Sequence, residues 1–366
     1  MKKILSLVAV NLLITLVLLL TIELALRLAW HNPYLDAPLD TSARLHAKNL
    51  DIEVSSEGYY PLSESIRFHT REDRSISNGF VQVGSTFIAL GGSTTESSLV
   101  PEGDRWPDLL APAALNFGVS GNYLIDSYYN LIHLHEALAP PPDTATIMHA
   151  VNDLGFFVNR GAENFEINNW SHRLEHPLVT FDNTNRVVFG GVKISSSSVM
   201  SLITYLRNNS GVRLIIEPSV ALKEARDNMS ILEDVEFQKL KSEFVNEFLP
   251  KRLSVYEQIS RTSSRLRVKL ILLSQPHAFV KDYTPPIQDL RVTPVWSGRR
   301  LTITQTSELM DLLNEQTLNF AQENSIKSID LAKCIGSQEV GPLLYDSVHY
   351  SMQGSKAVAE CINGAM

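Results

Sequence analysis

Phe87-Ile88-Ala89-Leu90-Gly91-Gly92-Ser93-Thr94-Thr95-Glu96 is the stretch that decides the reading of this chain. The apolar run is short enough for a buried strand, and the two glycines allow a sharp turn into a helix. Ser93 then stands where a strand ends and a helix begins, among small residues whose backbone N–H groups can face a cleft. A serine hydroxyl is a poor nucleophile until a nearby base takes its proton. The far end of the chain offers such a base, because Asp346-Ser347-Val348-His349 sets an acid three residues before an imidazole. On a loop entering a helix, both side chains can occupy one rim. Taken singly, either motif is also a glycine turn or an ordinary helix start.

Working outward from Ser93, short apolar runs recur at 86–90, 113–117, 146–151, 268–273 and 326–331, alternating with amphipathic stretches. That alternation predicts a parallel sheet with helices on both faces. Residues 123–138 have helical spacing, and Pro140-Pro141-Pro142 stops them. Residues 308–324 are helical by the same test, with Leu309, Leu312, Leu313 and Phe320 on one face. Two further segments carry polar residues at expected strand ends: Asn116-Phe117-Gly118-Val119-Ser120-Gly121-Asn122, and Thr146-Ile147-Met148-His149-Ala150-Val151-Asn152-Asp153. Open parallel sheets build their sites at such edges. The Gly121 N–H and the Asn152 amide can join the Ser93 N–H in an oxyanion hole, each donor worth roughly 3 kcal/mol of barrier.

These four segments, in this order, resemble the SGNH or GDSL-type hydrolase family. The resemblance covers roughly residues 85–362. It implies an α/β fold, a three-layer α/β/α sandwich on a parallel five-stranded, flavodoxin-like sheet, with a helical insertion at about 195–266. It also implies Ser93 as nucleophile, His349 as base and Asp346 as the partner that orients it. Ser93, Gly121 and Asn152 become the oxyanion donors, and the mechanism calls for no metal and no organic cofactor. Two departures stand out. The family's Gly-Asp-Ser is Gly91-Gly92-Ser93 here, and the glycine usual two residues before the block Asn is Ala150. Neither removes a catalytic atom, yet both can reshape the site. Between Asn152 and Val268 there is no motif.

The composition fits one large α/β domain with insertions: 366 residues, 44% apolar and 20% charged. A net charge of −8 with no basic stripe argues against nucleic acid as a partner. Lys2 and Lys3 precede an uncharged, Leu- and Val-rich run over residues 4–22, about the length that spans a bilayer. A cleaved signal peptide has a shorter apolar core and a small-residue cleavage site, and no clear one follows here. Glu23 and Arg27 are spaced to pair on one helix face, and Trp30 suits the membrane interface. The expected organisation is an uncleaved anchor at 1–30, a juxtamembrane linker at 31–80 packing on the domain edge, and the hydrolase-like domain at 81–366. The leading lysines predict a cytoplasmic amino terminus with the domain periplasmic or extracellular. Cys334 and Cys361 are the only cysteines. They are either a disulfide around the Asp346–His349 loop or two buried thiols.

Other constellations carry less. His172-Arg173-Leu174-Glu175-His176 has a metallopeptidase spacing, but Pro177 leaves room for about one helical turn, so surface histidines are the better reading. His133 and His135 point apart on their helix, and His277 follows an expected strand end as a loop histidine. Glu96 is accounted for as a helix-start carboxylate, and Trp106-Pro107 as core and a helix start. Arg71, Trp296 and Arg299 are weak candidates for contact with an anionic or sugar substrate. Residues 186–193 suggest a hairpin, 195–206 a helix, Leu214-Ile215-Ile216 a short strand and 222–265 long helices.

The activity expected is that of a membrane-anchored serine esterase cleaving acyl esters on envelope glycans or lipids. Acyl transfer to a cell-surface polysaccharide is the first alternative, and a non-catalytic carbohydrate-binding or assembly protein the second.

Overall fold

Five apolar runs form one parallel sheet in a computed structural model that describes residues 11, 14–22, 24–25, 43–46, 51–55, 66–76, 86–168, 170, 188–189, 192–193, 214–215, 219–280, 283, 289–336 and 340–366. The strands are β1 (Phe87–Gly91), β2 (Leu115–Gly118), β3 (Thr144–Met148), β4 (Lys269–Leu273) and β5 (Lys327–Ile329). Their order is β5-β4-β3-β1-β2. The chain moves one way from β1 to β2 and the other way from β3 to β5, so the direction reverses beside β1. Loops leaving β1 and β3 therefore diverge and open a crevice at the carboxyl edge. Gly91 pairs with Gly118 on one side and Met148 on the other, which brings three strand ends level.

Every residue of β1 and β2 is buried, as expected of a sheet covered on both faces. Alternate side chains of β1 feed two separate cores. Ile88 and Leu90 pack with α2 (Leu124–Ala137), α3 (Val151–Arg160), α4 (Leu249–Leu266) and α5 (Ile303–Glu323). Phe87 and Ala89 join Trp106, Leu331 and α6 (Met352–Ala365) on the other face. The result is the three-layer α/β/α sandwich expected.

Boundaries moved where side chains compete with strand pairing. The third run was expected to stay extended through Val151, but β3 ends at Met148. Gln275 Oε1 accepts the Val151 N–H, and Ala150 O accepts the Leu154 N–H, so the end of the run coils into α3. Helix α5 starts at Ile303 rather than 308, because Thr302 and Gln305 form a reciprocal capping box. Trp106-Pro107 lies in a turn rather than at a helix start, with the buried indole donating to Thr94 O at 3.1 Å.

The charged stretch expected to be helical is so at Ser219–Asp227, at Asp234–Glu243, and through a wider π-type turn at Phe244–Phe248 into α4. Helix α4 belongs to the layer covering the sheet, not to an outlying insertion. Its Arg252 pairs with Asp153 of α3 at 2.8 Å, and both side chains are fully buried.

Ahead of the sheet, Asp51–Ser55 pairs antiparallel with Ile66–His69 and parallel with Leu214–Ile215. Ile76 then bridges to Asn116, adding an antiparallel contact to the open side of β2. Val188–Phe189 and Val192–Lys193 form the small hairpin expected. Cys334 and Cys361 form a disulfide that ties Leu331–Gly336 to α6.

Near the amino terminus, residues 14–22 and 24–25 are helical with exposed apolar side chains from Ile14 to Leu24. Among the described residues, no helix is long and apolar enough to cross a membrane. Lys2, Lys3, Trp30, the 172–176 histidines and the 195–206 helix lie outside the described residues.

Candidate active site

The level ends of β1, β2 and β3 deliver three of the expected site residues to one edge, and the loop before α6 delivers the other two. Ser93 follows β1 directly, in the first position of the single-turn helix α1 (Ser93–Glu96). His349 Nε2 lies 2.7 Å from Ser93 Oγ. On the other side of the ring, Nδ1 lies 2.8 Å from Asp346 Oδ2 and 3.0 Å from Oδ1. Asp346 Oδ1 also accepts the backbone N–H groups of Val348 and His349, at 3.0 and 2.9 Å. The acid is thus locked to its own loop and to the imidazole at once. Tyr345 stacks on the His349 ring at 5.7 Å, which further limits its tilt.

The charges follow from this geometry. Burial alone would push the Asp346 carboxyl up, but the His349 charge and the hydrogen bonds from His349 and Val348 outweigh it, so it lies below its usual range. Burial alone would push His349 down, but Asp346 and, less strongly, Glu96 raise it above 6.5. Such an imidazole is a strong proton acceptor, held with one nitrogen toward the serine hydroxyl.

Gly121 and Asn152 complete the edge. Gly121 has φ of 75°, a left-handed conformation that glycine adopts without strain. Asn152 sits in the first turn of α3 rather than on a loop, and its Nδ2 donates to Asn122 O at 2.9 Å. That bond carries the amide across Gly92, directly beside Ser93. A Cβ at position 92 would collide with the Asn152 amide nitrogen. Gly92, at the position where the resembled pattern has Asp, thus leaves the room that the amide occupies.

Behind Asn152 stands a buried polar frame centred on Arg252, which lies in no sequence motif. Arg252 Nη2 donates to His149 O at 2.6 Å, while its Nε holds Asp153. Asp153 in turn accepts the Leu124 N–H at 3.0 Å. His149 is pushed down to about 4, chiefly by burial and further by Arg252, so it stays neutral; its Nε2 lies 2.7 Å from Ser127 Oγ. These contacts fix both ends of the 149–153 turn.

Glu96 departs most from its expectation. It is fully buried one turn after Ser93, and its carboxylate accepts the Ser120 N–H. Burial raises it to about 7, against the opposing pull of Ser120, Arg44 and Arg105. Its helical position signals none of this, because the partner lies across the sheet edge.

The remaining candidates are engaged elsewhere. His277 faces Asp311 at 3.3 Å, His135 faces Leu266 O at 3.1 Å, and Arg71 lies 3.6 Å from Asp73. Arg299 pairs with Glu236, and Trp296 packs on the larger core. Among the described residues, no group of three or more His, Cys, Asp or Glu is placed to hold a metal.

No family model matches the sequence, and no curated protein is significantly similar to it. Similar solved structures include a phospholipase A1 from Streptomyces albidoflavus NA297, at 15% identity over 76% of this chain and 98% of that one, TM-score 0.41. A GDSL-like lipase from Bacteroides thetaiotaomicron VPI-5482 shares 14% identity over 76% of this chain and 86% of its own, TM-score 0.38. An acetyl xylan esterase from Geobacillus stearothermophilus shares 12% identity over 77% and 94%, TM-score 0.37.

Proposed function

We propose that this chain is a serine ester hydrolase of SGNH type. The observation that carries the reading is the continuous relay Asp346–His349–Ser93, at 2.8 and 2.7 Å, opening onto the edge that holds Gly121 and Asn152. His349 takes the hydroxyl proton as Ser93 Oγ attacks an ester carbonyl, and Asp346 holds the ring and stabilises the imidazolium. The negative oxygen forms against the Ser93 and Gly121 N–H groups and the Asn152 amide. His349 then returns its proton to the leaving alcohol, which departs from the acyl-Ser93 intermediate. Water, deprotonated by the same nitrogen, attacks the acyl carbon and releases the acid.

The proposed setting is the outer side of a cytoplasmic membrane, on acyl esters of envelope glycans or lipids. The uncharged run at 4–22 and the exposed apolar side chains from Ile14 to Leu24 support an anchor. The Cys334–Cys361 disulfide supports an oxidising compartment.

Hydrolysis of p-nitrophenyl acetate and longer esters by the full-length chain in detergent, with Ser93→Ala as control, tests the reading. Activity that survives Ser93→Ala overturns it.

A further inference from the structure

Arg44 lies ahead of the whole sheet in sequence, yet its guanidinium ends in the loop after β2. Nη1 donates to Ser120 O at 3.0 Å and to Asn122 Oδ1 at 2.9 Å. The Arg44 backbone is fastened as well. Its N–H donates to Asn130 Oδ1 at 2.8 Å, and its carbonyl accepts from the Asn130 and Asn122 amides at 3.0 and 3.3 Å. Arg44 is 5% exposed, so these bonds operate away from bulk water.

The geometry matters because of what Ser120 O is joined to. Ser120 C=O and Gly121 N–H belong to one planar peptide unit, and in a trans peptide they point in opposite directions. Fixing the carbonyl therefore fixes the direction of the Gly121 N–H. A cationic donor on the carbonyl also polarises the unit and strengthens its N–H as a donor. The guanidinium lies against Gly121 itself, since a Cβ there would sit 3.5 Å from Nη1 and 3.8 Å from Nη2. The preceding peptide is held as well, since Glu96 accepts the Ser120 N–H. Ser120 is thus gripped between a carboxylate on its N–H and a guanidinium on its carbonyl.

We propose that Arg44 is a positioning residue for ester cleavage, aligning and polarising the Gly121 N–H through the Ser120–Gly121 peptide. The proposal rests on the hydrolase reading above. It makes the segment before the sheet part of the working site.

The test uses full-length wild type, Ser93→Ala, Arg44→Met and Arg44→Lys in detergent. Each is followed by thermal unfolding, by kcat and KM on p-nitrophenyl acetate, and by inhibition with an alkyl boronic acid, whose serine adduct is tetrahedral and anionic. The expected result for Arg44→Met is a kcat lowered about 10–100-fold with KM within about twofold. The boronic acid should weaken by a similar factor, because it is held by the same donors. Arg44→Lys should recover part of the loss. A purely structural role would lower the folded fraction without moving boronate affinity against KM.

A folded Arg44→Met with wild-type kcat overturns the proposal. If Arg44→Met does not fold, Arg44→Gln takes its place, a polar but uncharged and shorter side chain that cannot hold the Ser120 carbonyl as the guanidinium does. The same kcat-selective loss supports the proposal, and an unchanged kcat overturns it. Wild-type activity that persists in Ser93→Ala sinks the hydrolase reading, and the role of Arg44 falls with it. Activity lost in Ser93→Ala but intact in folded Arg44→Met sinks only the latter.

Discussion

The Asn152 side-chain amide occupies the space into which any side chain at position 92 would grow. Gly92 and Asn152 are therefore one unit, in which the absence of a Cβ fixes where a hydrogen-bond donor can stand. On the hydrolase reading, Gly92→Asp, which restores the letters usual in the resembled family, is expected to damage activity. If Asn152 is the oxyanion donor proposed, its displacement should lower kcat by roughly 10²–10³-fold with the fold retained. Steady-state kinetics beside a thermal melt check this, and a Gly92→Asp variant as active as wild type would refute the coupling.

As the proposed base, His349 must be neutral to accept the Ser93 proton, and Asp346 raises it above its usual value. Activity should accordingly rise with pH through an apparent pKa above the ordinary histidine value. Asp346→Asn removes the charge that raises the imidazole and the acceptor that orients it. The acid limb of kcat/KM should shift to lower pH while kcat drops about 10³–10⁴-fold. A full pH–rate profile of both proteins measures the two effects separately.

Glu96 makes stability depend on pH in the sense opposite to a paired carboxylate. Its folded value, about 7, lies above the 4.5 of the unfolded chain, so the folded state binds the proton more tightly. The stabilisation is fully present below pH 4.5, declines as pH rises, and is gone above about 7. Its ceiling is on the order of 3 kcal/mol. Glu96→Gln should flatten the melting temperature over that window. Because the Glu96 charge also raises His349, the same variant should carry the acid limb of kcat/KM downward. Melting and kinetic titrations on one protein sample test both.

The Cys334–Cys361 bond closes a loop, 27 residues in separation, around the Asp346–His349 segment. Loop closure of that length stabilises by about 3–4 kcal/mol in the chain-entropy account. The double variant Cys334→Ser with Cys361→Ser should melt earlier by an amount matching that figure. Denaturant midpoints in the presence and absence of reductant provide the check.

Much of this arrangement could be read from local signals. The sheet strands were visible as apolar runs, and Ser93, Gly121, Asn152, Asp346 and His349 stood in motifs beside them. Arg44 could not be read, because a lone arginine in a polar stretch says nothing of a carbonyl 76 positions away. Glu96 does stand in a first helical turn, but that position leaves its surroundings unread for a related reason. Its helical position suggested a favourable dipole, whereas burial and a partner across the sheet edge decide its chemistry. Arg252, which steadies the Asn152 turn from α4, sits in a stretch that reads only as long helices, with nothing to single out one arginine. The third strand ran past its true end because Gln275, far along the chain, takes the Val151 N–H. Local pattern carries the elements, and side chains arriving from afar set their ends.

If the chain is anchored as proposed, Arg44 is also a leash. The apolar run closes at Ile22, and Arg44 follows 22 residues later, already fastened to the sheet edge that holds Ser93. Even fully drawn out, that much chain covers only about 75 Å. The nucleophile would then patrol a shallow shell above the bilayer, meeting esters presented there and missing those that diffuse freely beyond it.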